Sequence, residues 1–198
     1  MHLTAFCLGA LAAHLPTAVA AQLGDFLKAL QPLCAIPAKL NARTLSARDN
    51  ACSAVGKVVM AVGAGHGANK VDLGAAVQLF LSALPIRADF AEAESAYGVL
   101  LSLFQNAPQL VLPHLKSVME ILMHAVLDTN LSDAMRGQLV HLAKSLIQVC
   151  NDLCVRVARC AAFELTCVLL LIHLSLVYAC VSLAAATRCP AATVPGGS

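Results

Sequence analysis

The residues that could do chemistry are few, and the most suggestive lie between Val58 and Ala68. There Gly63, Gly65 and Ala68 form a G-x-G-x-x-A pattern after an apolar run, with Asp89 about twenty residues downstream, the outline of a dinucleotide fingerprint. Glycines at that spacing let main chain approach a pyrophosphate at a helix N-terminus. The apolar run, however, continues the helical spacing of Ala51, Ala54, Val55, Val58 and Val59, and no further strand comes after it to build a parallel sheet. A glycine-rich turn between helices is the expectation. The seven histidines are scattered: His114 and His124 lie ten apart, His141 falls on another helix, and no HExxH occurs. The nine cysteines are odd in number, and Cys150, Cys154, Cys160 and Cys167 lack CxxC spacing, so they read as reduced, buried thiols. Neither a GxSxG elbow nor a phosphate-binding GxxxxGK[ST] loop is present. The chain therefore carries no catalytic, metal or cofactor constellation, and a non-enzymatic role is expected.

Composition narrows the classes further. With 59% hydrophobic and 12% charged residues, the 198-residue chain has too much apolar content for disorder. A net charge of +2 without any basic block excludes a nucleic-acid binder of the basic-patch kind. Abundant alanine and only 4% aromatics favour packed helices over a β-sandwich.

The elements that would position any site are amphipathic helices. Phe90, Ala93, Tyr97, Leu100, Leu101 and Phe104 fall at spacings of three and four, behind a capping-box-like start at Asp89 and Glu92. Leu115, Val118, Met119, Leu122, Ala125 and Val126 make a second stripe, with Lys116, Glu120 and His124 opposite. A third runs through Met135, Leu139, Leu142, Ala143, Leu146 and Ile147, with Ser132 as N-cap. Helix openings near Leu3, Arg48, Asp89 and Ser132 are 45, 41 and 43 residues apart, each paired with a second helix (about 20–34, 72–84, 112–127 and 151 onward). That period predicts an all-α, HEAT/armadillo-type solenoid of about three to four helix pairs over residues 1–150.

Two stretches in this register carry a family resemblance. Arg48-Asp49-Asn50-Ala51-Cys52-Ser53-Ala54-Val55-Gly56-Lys57-Val58 resembles the "RDNACGAVARM" helix of importin-β superfamily receptors (karyopherins). Leu84-Pro85-Ile86-Arg87-Ala88-Asp89-Phe90-Ala91-Glu92-Ala93-Glu94 resembles the "LPLKxDxxEA" turn one helix pair later. Leu103-Phe104-Gln105 and Pro108-Gln109-Leu110-Val111 resemble the next helix end and turn of the same receptors. The likeness covers about residues 45–149. It implies a fragment or truncated form of a nuclear import receptor, distributed between cytoplasm and nucleus. First helices would offer grooves to FG-repeat nucleoporins and second helices would face cargo. Glu120 and Asp128, as acidic groups on the second-helix side, are the candidate contacts for basic nuclear cargo proteins. Ran GTPase would bind through N-terminal repeats without counterpart here, and Arg48 and Asp49 would serve turn and inter-repeat hydrogen bonding. Receptors of this family are large and acidic, whereas this chain is short and slightly basic.

The two ends differ from the middle. Leu3–Leu15 and then Ala18-Val19-Ala20 have the outline of a signal peptide but lack a basic n-region, and serve equally as a first helix and turn. Only Arg159, Glu164 and Arg188 are charged in residues 157–198, while six of the nine cysteines fall at or after Cys150. Residues 151–198 therefore form a hydrophobic, Cys-rich segment with a long apolar helix over 165–186 and a disordered tail over 187–198. The 22 uncharged residues from Leu165 to Ala186 would span ~30 Å of hydrocarbon, and are the only place where a membrane contact is expected. The alternatives to a transport receptor are a generic HEAT-repeat scaffold or adaptor, and a tail-anchored membrane protein.

Overall fold

A computed structural model describes residues 2–37, 41–63 and 73–159. Among these, regular structure is entirely helical. The order is α1 (His2–His14), α2 (Pro16–Ala21), α3 (Leu23–Cys34), α4 (Ala42–Ala61), α5 (Leu73–Ala83), α6 (Ala93–Asn106), α7 (Pro108–Val111), a 3-10 turn (Leu112–His114), α8 (Leu115–Leu127) and α9 (Asp133–Arg159). The all-α class expected from composition is the one observed. Gly65 and Ala68 of the glycine-rich turn, the apolar stretch 165–186 and the tail 187–198 lie outside the described residues. Val58 and Val59 belong to helix α4, not to a strand.

The chain divides into two compact units, Met1–Leu139 and Val140–Ser198. In the first, α4 lies against α1, α2, α3, α5 and α6, and α5 in turn meets α3, α7 and α8. This position explains its composition. Every residue from Ala47 to Gly56 is buried, so small side chains are needed for neighbours to approach from several directions. A Cβ added at Gly9 of α1 would stand 3.3 Å from the Ala54 Cα, and one at Gly56 would stand 3.0 Å from the Phe80 ring and 3.3 Å from Val99. Phe80, Leu100, Tyr97, Val55 and Val58 are fully buried around this junction.

Three expected boundaries shift. The helix expected to open near Arg48 starts at Ala42, because the Asn41 side chain accepts a hydrogen bond from the Thr44 amide at 3.0 Å and caps an earlier turn. The helix expected from Asp89 starts at Ala93, which leaves Phe90 exposed in the preceding turn instead of on the apolar stripe. The break expected after Val149 is absent: α9 runs on to Arg159 without a turn. Its start is as expected, with the Ser132 hydroxyl accepting from the Met135 amide at 3.2 Å. In the second unit the described part is the remainder of this helix, where Gln148 donates to Asp152 at 3.0 Å.

Among the described residues, one stretch is long and apolar enough to cross a membrane, Pro108–Leu127. Its stripe of Val118, Met119, Ile121, Leu122, Ala125 and Val126 is already buried in the protein core, while Lys116 and Glu120 are exposed.

The junction around Gly56 generates a paired expectation. Gly56→Val is expected to lower stability by about 1–3 kcal/mol through overpacking against Phe80 and Val99. Gly98→Ala in α6, where an added Cβ meets nothing within 4 Å, is expected to raise it by about 0.5–1 kcal/mol. Urea unfolding monitored by circular dichroism measures both; an unchanged midpoint for Gly56→Val would show a looser junction.

Candidate functional site: a buried polar latch and the grooves beside it

The buried helix α4 carries polar residues at Ser46, Asp49, Asn50, Ser53 and Lys57, a stripe at helical spacing that would ordinarily face water. Here it faces the segment between α5 and α6. A buried carboxylate must find donors to offset its lost hydration, and Asp49, with no exposed surface, finds three. Its Oδ2 accepts from the amides of Arg87 at 2.9 Å, Ala88 at 2.6 Å and Asp89 at 2.9 Å. Three consecutive main-chain donors in a half-buried turn are thereby satisfied by one oxygen. Its other oxygen has no hydrogen-bond partner; the nearest charge is Arg48 Nη1 at 3.9 Å, an ion pair too long to be a hydrogen bond.

Arg48 supplies the complementary half. Its Nη1 donates to the Pro85 carbonyl at 3.4 Å and its Nη2 to the Ser82 carbonyl at 3.3 Å, so the guanidinium closes the end of α5 while Asp49 holds the next turn. Further along, Asp89 Oδ2 accepts from Asn50 at 2.6 Å and from the Ser46 hydroxyl at 3.1 Å. Glu92 accepts from the Ser53 hydroxyl and, at 3.0 Å, from the Lys57 ammonium. The expected capping role of Asp89 and Glu92 is thus corrected. Glu92 makes no side-chain cap bond to α6, because both carboxylates turn back toward α4. Arg48 and Asp49 both hydrogen-bond the segment between α5 and α6, which is the turn part of the role expected for them. The two resembling stretches are each other's partners, 38 to 40 residues apart in sequence. A simpler version recurs two helices later, where Glu94 of α6 accepts from the Ser132 amide at 3.2 Å.

Beneath the latch lie groups with nucleophilic atoms but no nucleophilic character. Burial pushes the Cys34 thiol up to about 12, and it pushes Cys52 well above the usual thiol range. The Cys52 thiol sits 3.7 Å from the Phe80 carbonyl. Burial likewise raises Tyr97, whose hydroxyl is hydrogen-bonded to the Ile86 main chain. These groups stay neutral across the physiological range and act as packing.

Two surface grooves flank the latch. One, of about 270 Å³, is lined by Leu81, Leu84, Pro85, Arg87, Ser117, Glu120, Ile121 and His124. Another, of about 330 Å³, is more apolar and lies between the C-terminal ends of α4 and α6, with Val59, Met60, Leu73, Leu103 and Leu110. Glu120, a candidate cargo contact, is exposed in the first of these. Asp128, the other candidate, does not line it: its Oδ1 accepts from the Asn130 amide at 2.8 Å and side chain at 2.9 Å, and its carbonyl accepts from Arg136. Asp128 is a turn residue at the end of α8. His114 is half-buried and His124 and His141 exposed, and no group of three metal-ligating side chains occurs among the described residues. Sequence reasoning missed Ser46, Asn50, Ser53, Lys57 and Arg87. The signal for them was the polar stripe on α4 combined with a partner stretch about 40 residues away.

Removing the Asp49 carboxylate leaves three half-buried amides without their acceptor and the buried Arg48 guanidinium without its neighbouring negative charge, so Asp49→Ala is expected to cost about 3–5 kcal/mol. Asn50→Ala, which removes two hydrogen bonds, to the Ser46 carbonyl and to Asp89, is expected to cost about 1–2 kcal/mol. Both are read from equilibrium urea unfolding, and an Asp49→Ala loss no larger than that of Asn50→Ala would contradict this role.

No protein-family model matches the chain, and no curated protein or solved structure compared with it matches either.

Proposed function

We propose that the chain is a helical-repeat segment of a nuclear transport receptor of the importin-β type, binding protein partners without catalysis. In this reading α1/α3, α4/α5 and α6/α8 are successive HEAT-type pairs, with α9 opening a fourth. First helices would stack as α1–α4–α6 and second helices as α3–α5–α8. The contacts α1–α4, α4–α6, α3–α5 and α5–α8 have that order. One observation carries the proposal: the two stretches that resemble the receptors interlock through Asp49 and the amides of residues 87–89. Cargo would be held along the second helices, and the shuttle between cytoplasm and nucleus would depend on binding nucleoporins on the first.

The α4/α6 groove suits the nucleoporin role. Its volume of about 330 Å³ and its lining of Val59, Met60, Leu103 and Leu110 would accept a phenylalanine ring, with Ser102 and Asn106 at the edge to meet a glycine-flanked main chain. A labelled Phe-Gly repeat peptide is expected to bind the chain, and Leu110→Asp is expected to weaken it by about tenfold, since a charge would be buried under the ring. Fluorescence anisotropy reads this. Equal binding of a peptide with every Phe replaced by Ala, or no loss in Leu110→Asp, would sink the nucleoporin role.

A further inference from the structure

Two buried polar atoms of the latch, Arg48 Nε and Asp49 Oδ1, have no hydrogen-bond partner among the described residues. Arg48 is 5% exposed and Asp49 not at all, so bulk solvent does not supply one. Native interiors leave few such groups, because a donor or acceptor that loses its hydration without a replacement bond is costly, a charged one most of all. The rest of each side chain is already committed. Arg48 Nη1 and Nη2 donate to the carbonyls of Pro85 and Ser82, and Asp49 Oδ2 accepts from the amides of Arg87, Ala88 and Asp89. Turning either side chain to join Nε to Oδ1 directly would give up those bonds.

The two atoms select what can join them. One is a donor and the other an acceptor, so the occupant must accept from a guanidinium and donate to a carboxylate in one enclosed place. A simple anion only accepts, and Asp49 repels it. A metal or ammonium cation accepts nothing from an N–H group, and Arg48 repels it. Water does both, carries no charge, and is held by as few as two polar partners. The span also fits. Nη1 stands 3.9 Å from Oδ1. Nε is ~2.3 Å from Nη1 within the planar guanidinium, so it lies at most about 6 Å from Oδ1. One water with two hydrogen bonds of about 2.8–3.0 Å reaches across that distance. We infer that one enclosed water molecule bridges Arg48 and Asp49, accepting from Nε and donating to Oδ1.

The water gives these neighbouring residues the hydrogen-bonded link that their 3.9 Å separation denies them directly. Arg48, which holds the carbonyls before the turn, and Asp49, which holds the amides within it, then act as one network instead of two. The inference rests on the latch alone and is independent of the transport reading.

The test uses the full chain labelled with nitrogen-15. At the Arg48 Nε–H group, cross-peaks to the water line are expected with opposite signs in NOE and ROE spectra, which a held water gives and simple proton exchange does not. The exposed Arg43 serves as the control and is expected to show exchange alone. Oxygen-17 relaxation dispersion then counts long-lived waters. Arg48→Lys keeps a cation for the two carbonyls but has no Nε, and is expected to hold about one fewer than the parent. The inference is overturned if Arg48 Nε–H shows no water cross-peak, or exchange peaks alone. It is equally overturned if an Arg48→Lys chain that is folded by circular dichroism keeps the parent's count. The first measurement needs no variant, so it decides the matter by itself if Arg48→Lys does not fold.

Discussion

A single buried carboxylate on α4 fixes the turn that joins α5 to α6. Asp49 has no exposed surface, and one of its oxygens satisfies three consecutive amides in the turn that leads from α5 to α6. An open turn packed against a buried helix face would otherwise leave those donors without partners, a cost that close packing alone does not offset. Arg48 secures the carbonyls just before the turn, and Asn50, Ser53 and Lys57 secure the carboxylates just after it. The path from α5 to α6 is thus fixed by one face of α4, and the α5/α8 groove inherits its shape from that tethering.

Polar specificity and apolar packing divide the work along α4. Its small residues let α1 approach through Gly9 and let Phe80 and Val99 close over Gly56. Packing of this kind stabilises without choosing a unique arrangement, since alanines and valines of similar size interchange at modest cost. The directional bonds of Asp49, Asn50 and Arg48 select one placement of the turn. Cys34, Cys52 and Tyr97, neutral and buried beneath it, add volume without adding chemistry.

Most of the helices were legible in the sequence because they are buried on one side only. The stripes through Tyr97 and Leu100, through Val118 and Leu122, and through Leu139 and Ile147 fall on α6, α8 and α9, and Ser132 caps as its type and position suggest. Helix α4 was harder to delimit because it is buried on several sides and its polar stripe faces protein instead of water. Asp89 and Glu92 were misread because a carboxylate just ahead of a helix has a strong local use as a cap, and a local reading cannot see a competing partner 39 residues away. Asp128 was read for its charge alone, and its local use in the turn, where Oδ1 accepts from Asn130, went unread. The grooves beside α5 were invisible, since they depend on which helices become neighbours.

Native-state hydrogen exchange at the amides of Arg87, Ala88 and Asp89 tests the role of Asp49 most directly. These residues lie outside any helix, where main-chain amides ordinarily exchange through cheap local opening. If the carboxylate holds the turn to α4, the three amides exchange only when α4 itself opens, with protection equal to that of the Val55 and Val58 amides. Exchange at the rate of an unprotected loop, with α4 still protected, would contradict the claim that this bond fixes the turn.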